Sequence, residues 1–187
     1  MTRAGARAPA LSRVHTADLS SAQRNEIRAM LVAAFEQDFS DDDWDHALGG
    51  LHVICRIGDT VVGHAAVVQR QVHVGARVHR IGYVEAVAVS ADAQRQGIGG
   101  LLMASVEEIV VAAYDFGALA ASSAGLALYR GRGWQTWAGS LLVAGPDGSA
   151  MTPDDAGAVM VFGEAIESGS VDLRASLTAD TRRGDPW

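Results

Sequence analysis

Hydrophobic spacing predicts two helices near the start of the chain. Ser20 fits the N-cap of a capping box in which the Gln23 side chain reaches back to the backbone. The apolar residues of 27–35 then recur at helical spacing and form one face. A second short helix is predicted over 41–48, because acids fill its first turn and two glycines follow its last residue.

The middle of the chain changes to extended patterns. Apolar and β-branched residues dominate 52–57, 61–72 and 78–89, and these segments predict three strands. Gly58 and Asp59 separate the first two strands as a hairpin turn, and Gly75 marks the turn before the third. The segment is therefore predicted to form an antiparallel meander.

Helices and short strands alternate in the second half. An apolar stripe predicts a helix over 98–116, and a short apolar run predicts a buried strand over 118–121. Proline and glycine make 145–157 a predicted long loop. This order of elements predicts an α/β fold with a mixed, mostly antiparallel central sheet flanked by helices. The remaining predictions are a helix over 124–132 and strands over 134–138, 141–144 and 159–162.

The length of 187 residues suits one domain that buries a full hydrophobic core. Residues 1–12 show neither pattern and are predicted to be a flexible arm, with the first strand beginning at Arg13. The tail, 168–187, is polar and carries few helix signals.

Composition and charge narrow the classes of partner. The chain is 49% hydrophobic with a net charge of −7, which is typical of a globular protein and argues against a nucleic-acid partner. An acidic cleft would attract a cationic substrate, although acidity also serves solubility alone. No apolar run is long enough to span a membrane, and no signal peptide is recognised. The cytoplasm is the expected location.

Cysteine and histidine give no sign of a metal. Cys55 is the single cysteine and lies in an apolar run, so we interpret it as a core residue. The six histidines do not fall into a compact pattern with cysteines or acids, so no metal is expected.

A glycine-rich turn follows the third predicted strand and enters a helix. It runs Gln94-Arg95-Gln96-Gly97-Ile98-Gly99-Gly100. The first N–H groups of a helix are unpaired and lie at its positive end, so this turn suits a pyrophosphate. The spacing matches neither the P-loop nor the dinucleotide-binding fingerprint.

The turn resembles the Q/R-x-x-G-x-G/A signature of the GNAT superfamily of N-acetyltransferases, although a glycine-tolerant helix start is the alternative. Downstream, Leu128-Tyr129-x-x-x-Gly133-Trp134 resembles the L-Y-x-x-x-G-F ending of the superfamily's coenzyme A-supporting helix. The resemblance implies the GNAT fold and acetyl-CoA as co-substrate. It also implies that Tyr129 protonates the leaving thiolate, the alternative being a packing residue. The implied cofactor-binding residues are Val87, Ala88 and Val89, whose backbone would pair with the pantetheine arm, and Gln94, Arg95, Gln96, Gly97, Ile98, Gly99 and Gly100, whose amides would hold the pyrophosphate.

Glu85 lies inside the strand before the turn. Regular alternation would put it on one face with Tyr83, Val87 and Val89. A buried carboxylate needs a partner, so one interpretation is an ion pair with an arginine within the sheet. The other is a base that takes a proton from the attacking ammonium, directly or through water. The superfamily often keeps a glutamate on this strand, which favours the base.

A closer resemblance extends over nearly the whole chain, from Val14 to Trp187. Gly82-Tyr83-Val84-Glu85, Thr152-Pro153-Asp154-Asp155 and the terminal Arg183-Gly184-Asp185-Pro186-Trp187 are similar to the aminoglycoside 2′-N-acetyltransferases. That family implies a cationic aminosugar acceptor, antibiotic resistance and a homodimer. It implies a C-terminal tail that folds back into the cleft, where the Trp187 carboxylate faces the substrate beside the catalytic Glu85 and Tyr129. The family often has serines where this chain has Ala120 and Ala121, so at Ala120 only a backbone contact can remain. The implied substrate-binding residues are Asp38, Asp43, Glu85, Ala86, Ala120, Asp154, Asp155, Asp185 and Trp187.

The resemblance implies direct attack of the amine on the thioester, with no acetyl-enzyme. Two other functions stay open. One is acetyl transfer to a different primary amine, such as a polyamine, a cell-wall precursor or a protein N-terminus. The other is a non-catalytic acetyl-CoA sensor, which the retained Glu85 and Tyr129 argue against.

Overall fold

Ten strands join in one mixed sheet in the computed structural model, which describes residues 7–36 and 38–187. The strands are β1 (Pro9–His15), β2 (Leu51–Ile57), β3 (Thr60–Val74), β4 (Arg77–Val89), β5 (Gly117–Ala120), β6 (Gln135–Thr136), β7 (Leu141–Gly145), β8 (Gly148–Met151), β9 (Val159–Phe162) and β10 (Leu177–Ala179). The helices are α1 (Ser21–Ala34), α2 (Asp41–His46), α3 (Ile98–Ala113), α4 (Leu126–Gly131) and α5 (Glu164–Glu167).

The long strands β3 and β4 form the centre of the sheet. The order is β6-β9-β5-β4-β3-β10-β7-β8, and β2 pairs with the first half of β3 while β1 pairs with β2. The β4–β5 and β10–β7 pairs are parallel, and the other pairs are antiparallel. The predicted meander and the mixed, mostly antiparallel sheet are confirmed.

Helices cover the two faces of the sheet. Helix α1 begins with the predicted capping box, in which Ser20 and Gln23 bond to each other's backbone N–H groups. It buries Ile27 and Leu31 against one face, together with residues of β2 and β3. Helix α3 lies on the opposite face and packs its apolar stripe, including Leu102, against the same two strands and β4. The conserved geometry of a helix start at the end of β4 follows from this packing.

The structure corrects three predicted boundaries. Strand β1 begins at Pro9, so 9–12 are not an arm, and 1–6 lie outside the described residues. The predicted loop 145–157 contains β8, which pairs with β7. Both strands are almost wholly exposed, so backbone pairing holds them and their sequences lack a hydrophobic signal. Helix α3 ends at Ala113, because the chain turns extended at Tyr114 and the Asp115 N–H bonds to Arg80 O.

Candidate active site

The glycine-rich turn places the start of α3 at the end of β4. Gly97 is the N-cap residue with a φ of 81°, a left-handed conformation that glycine adopts without strain. The first intrahelical bond there runs from the Leu101 N–H to the Gly97 carbonyl at 3.1 Å. The N–H groups of Ile98, Gly99 and Gly100 therefore lack intrahelical acceptors and form the positive end of the helix.

A cavity of about 590 Å³, here called the donor cavity, lies over this helix start. Phe35 at the end of α1 and Leu128 on α4 complete its walls. Gln96 is absent from its lining, because its exposed side chain turns away and donates to Asp92 O at 3.0 Å. The predicted cofactor-binding residues that line it are Val87, Ala88, Val89, Gln94, Arg95, Gly97, Ile98, Gly99 and Gly100.

Strands β4 and β5 separate next to the donor cavity. Their ladder consists of two pairs, Gly82 with Gly117 and Tyr83 with Ala118. Beyond them opens a smaller cavity of about 130 Å³, here called the acceptor cleft. Its lining includes Val84, Glu85, Ala86, Leu119, Ala120 and Trp187, and it shares Phe35, Val87, Ser122 and Tyr129 with the donor cavity.

A bulge in β4 alters the predicted alternation of its side chains. The register shifts opposite His64–Ala66, where β4 carries one extra residue, and Ala86 adopts a φ of 50°. Val84 and Val87 both pack on the α3 side of the sheet, although an odd number of residues separates them. The expectation that Glu85 shares a face with Val87 and Val89 is therefore wrong.

Glu85 forms an ion pair with Arg182 of the C-terminal tail. The two side chains are 14% and 13% exposed. Arg182 Nε also donates to Asp185 O at 2.8 Å, and the guanidinium lies 5.3 Å from the centre of the Tyr83 ring. The sequence left an arginine partner open, and the structure contains one, although it comes from the tail and not from the sheet. Glu85 still lines the acceptor cleft.

Tyr129 lies where the two cavities meet. Burial raises the pKa of its phenol to about 12, so the hydroxyl keeps its proton at neutral pH. Gly125 makes room for the ring, because a Cβ at that position would lie 2.7 Å from Tyr129 Cε2. The residue is thus placed and protonated as a general acid requires.

The C-terminal tail closes the far side of the acceptor cleft. The buried Trp187 indole donates to Thr152 Oγ1 at 2.8 Å, and its backbone N–H donates to Asp185 Oδ1 at 2.9 Å. Arg70, also buried, bonds to Asp180 Oδ1 at 2.7 Å and to Pro186 O at 2.8 Å. These bonds fix the last eight residues against the sheet beside Glu85.

The remaining predicted acids lie at different depths. Burial raises the pKa of Asp155, and the nearby charges of Asp185 and Asp154 add to the effect, while a hydrogen bond to Thr152 opposes it. Asp38 and Asp154 are exposed and lie outside the lining of the acceptor cleft. Asp43 also lies outside it and caps α2, accepting the Ser40 N–H at 2.7 Å.

Comparison with known proteins decides the family. Residues 19–134 match the acetyltransferase (GNAT) family. An aminoglycoside 2′-N-acetyltransferase of Mycolicibacterium fortuitum is 44% identical over 176 residues, which cover 93% of this chain and 90% of that protein.

The chain belongs to the acetyltransferase (GNAT) family. The predicted reaction class, acetyl-CoA-dependent N-acetyl transfer, is therefore confirmed. The GNAT protein YhbS of Escherichia coli, solved in complex with CoA, has a TM-score of 0.63 at 18% identity, covering 96% of this chain and 93% of that one. Escherichia coli ElaA has a TM-score of 0.59 at 18% identity, covering 83% of this chain and 100% of that one. Both structures confirm the predicted GNAT fold.

Three residues of this GNAT site were not predicted. Arg182 gave no local signal, because its partner Glu85 lies 97 positions earlier. Ser122 lines both cavities and offers a hydroxyl two positions beyond Ala120, where attention to the alanines concealed it. Phe35 fitted the apolar face of α1, and its helical spacing alone predicted only a core residue.

Two absences concern the described part of this GNAT chain. Within 7–36 and 38–187, no group of three or more histidines, cysteines or acids could hold a metal ion. No helix there is long and apolar enough to cross a membrane.

Proposed function

We propose that this chain transfers the acetyl group of acetyl-CoA to the 2′-amine of an aminoglycoside antibiotic by direct attack, and thereby confers resistance. The observation that carries the proposal is the position of Tyr129, which lines the donor cavity and the acceptor cleft at their junction. The 44% identical aminoglycoside 2′-N-acetyltransferase supports the choice of acceptor.

The donor side binds the co-substrate through backbone groups. The free N–H groups at the start of α3 suit the pyrophosphate of coenzyme A. The edge of Val87–Val89 that faces away from β3 can bond to the amides of the pantetheine arm, as an added strand would. The thioester then reaches the junction beside Tyr129.

The acceptor side binds a cationic aminosugar through acids. Glu85 lines the cleft, and the proposed Trp187 carboxylate joins it from the tail. The partly buried Asp155 and the nearby Asp185 supply negative charge behind them. The outer rings of an aminoglycoside would extend to the exposed acids Asp38, Asp43 and Asp154, while the backbone of Ala86 and Ala120 bonds to its hydroxyl groups.

Transfer requires a neutral amine, because an ammonium has no lone pair to attack with. Glu85 takes the proton, directly or through one water. The C–N bond forms, the C–S bond breaks, and Tyr129 donates its phenolic proton to the departing sulfur. Solvent then reprotonates the Tyr129 phenolate, which its raised pKa favours.

A panel of amines tests this choice of acceptor against its rivals. Thiol release from acetyl-CoA is measured with aminoglycosides, polyamines, a cell-wall precursor amine and a peptide N-terminus. We expect kcat/KM to be highest for aminoglycosides that carry a 2′-amine. A higher value for another amine would favour the broader acetyltransferase, and tight acetyl-CoA binding without any turnover would favour a sensor.

The location and assembly belong to the same proposal. A cytoplasmic enzyme has access to acetyl-CoA, and the family resemblance implies a homodimer with no membrane or nucleic-acid partner. Light scattering of the purified chain should give twice the monomer mass of 19.5 kDa. A monomer at all concentrations would contradict the dimer and leave the proposed reaction unaffected.

A further inference from the structure

Two histidines are buried beneath the acceptor cleft and take no part in the proposed transfer. His52 of β2 and His64 of β3 are both fully buried. His52 Nδ1 lies 2.9 Å from His64 Nε2, and His64 Nδ1 lies 2.9 Å from Ala86 O. His52 Nε2 lies 2.7 Å from Thr16 Oγ1. Four groups thus form one hydrogen-bonded row from the end of β1 to the bulge in β4.

The direction of this row follows from counting protons. The Ala86 carbonyl can only accept, so His64 Nδ1 carries a proton. Burial lowers the pKa of His64 to about 3 and that of His52 to about 4, so both rings are neutral at physiological pH. His64 Nε2 must then accept from His52 Nδ1–H, and His52 Nε2 must accept from the Thr16 hydroxyl.

The other end of the row is fixed by backbone. Thr16 Oγ1 accepts the Gly49 N–H at 2.9 Å, and its proton goes to His52 in preference to the more distant Gly50 carbonyl at 3.2 Å. Each ring nitrogen therefore has one partner, and each proton has one acceptor. A buried row that is satisfied in this way admits one arrangement of its protons.

The row ends at the strained position of the site. Ala86 is not a glycine and has a φ of 50°, a conformation that persists only where the surrounding structure holds it. The hydrogen bond from His64 holds the carbonyl of that residue. The bulge there brings Glu85 into the acceptor cleft and Val87 to the junction with the donor cavity.

We propose that His64, oriented by His52 and Thr16, is a positioning residue for acetyl transfer. Its Nδ1–H fixes the Ala86 carbonyl, and the fixed bulge directs Glu85 to the acceptor and Val87–Val89 to the donor. The role of these two elements rests on the proposed function.

Two amide substitutions at His64 separate positioning from packing. The amide nitrogen of asparagine can take the place of His Nδ1, whereas that of glutamine takes the place of Nε2. His64→Asn keeps a donor for Ala86 O, and His64→Gln removes it. We expect kcat with an aminoglycoside to fall about tenfold or more in His64→Gln, because small displacements of reacting groups are costly, and to be largely retained in His64→Asn.

The control is His73→Gln, the same change at an exposed histidine of the same strand, which should leave kcat unchanged. Equal losses in the asparagine and glutamine variants at equal melting temperature would overturn the proposal.

Nitrogen NMR of the wild-type rings tests the row without any substitution or acceptor. We expect His52 and His64 to carry their protons on Nδ1 and to keep them there between about pH 5 and pH 8, outside the range in which they titrate. A proton on His64 Nε2 would overturn the proposal even if both variants fail to fold. Because this signal needs no turnover, it also separates failure of the row from failure of the proposed function.

Discussion

Tyr129 combines burial with access to both cavities, and these two properties define its chemistry. Its pKa of about 12 makes it a poor base and keeps it in the protonated form that a leaving thiolate needs. Tyr129→Phe removes that proton and keeps the ring. We expect kcat to fall about 100-fold, which is within the usual range for loss of a general acid, while the Kd for acetyl-CoA stays unchanged.

Stopped thiol-release assays and calorimetry measure the two quantities. Tyr114→Phe is the matched control, since Tyr114 lies at the other end of α3, outside both cavities. An undiminished kcat in Tyr129→Phe would return Tyr129 to the alternative role of a packing residue.

Arg182 and Arg183 are neighbours with very different environments. Arg182 pairs with Glu85 where both side chains are mostly buried, whereas Arg183 is 74% exposed and pairs with Asp42 and Asp45. A double-mutant cycle on Arg182→Gln and Glu85→Gln should give a coupling free energy of roughly 1–3 kcal/mol in unfolding experiments. The same cycle on Arg183 and Asp45 should give almost none, because solvent screens exposed pairs. Equal couplings would contradict the buried pair.

Strands and helices with strong hydrophobic patterns could be predicted from the sequence. Helix α1 with its capping box and the meander of β2, β3 and β4 are examples, since alternation and end signals agree there. Strands β1 and β8 could not be predicted, because their exposed side chains carry no burial signal and only backbone pairing defines them. The bulge at Ala86 was hidden for a similar reason, since a buried histidine on another strand holds it.

The start of α3 depends on the backbone conformation of Gly97. A side chain there would meet nothing within 4 Å, so the cost of Gly97→Ala comes from its φ of 81°. We expect this strain of roughly 1–2 kcal/mol to disturb the N–H groups of the turn and to raise the KM for acetyl-CoA. Gly75→Ala places the same strain in the β3–β4 turn, far from the site, and should leave KM unchanged. Equal KM values in both variants would argue against the helix start as the pyrophosphate site.

The whole molecule brings both ends of its sequence to one cleft. Phe35 comes from the first helix, Glu85 from the central sheet and Trp187 from the tail. Appending one glycine after Trp187 moves the terminal carboxylate but keeps the indole that bonds to Thr152. We expect this extension to lower kcat/KM for the aminoglycoside and to leave acetyl-CoA binding unchanged. Full activity of the extended chain would remove the terminal carboxylate from the site.

The account of the whole molecule makes a central claim, that the two cavities unite acetyl-CoA with the 2′-amine of an aminoglycoside. Two aminoglycosides that differ only at the 2′ position, one with an amine and one with a hydroxyl, test it most directly. The measurement is thiol release from acetyl-CoA, with the acetylated position read by NMR of the product. We predict thiol release and 2′-N-acetylation with the amine and no thiol release with the hydroxyl analogue. Comparable release with both compounds, or acetylation at another amine, would contradict the claim.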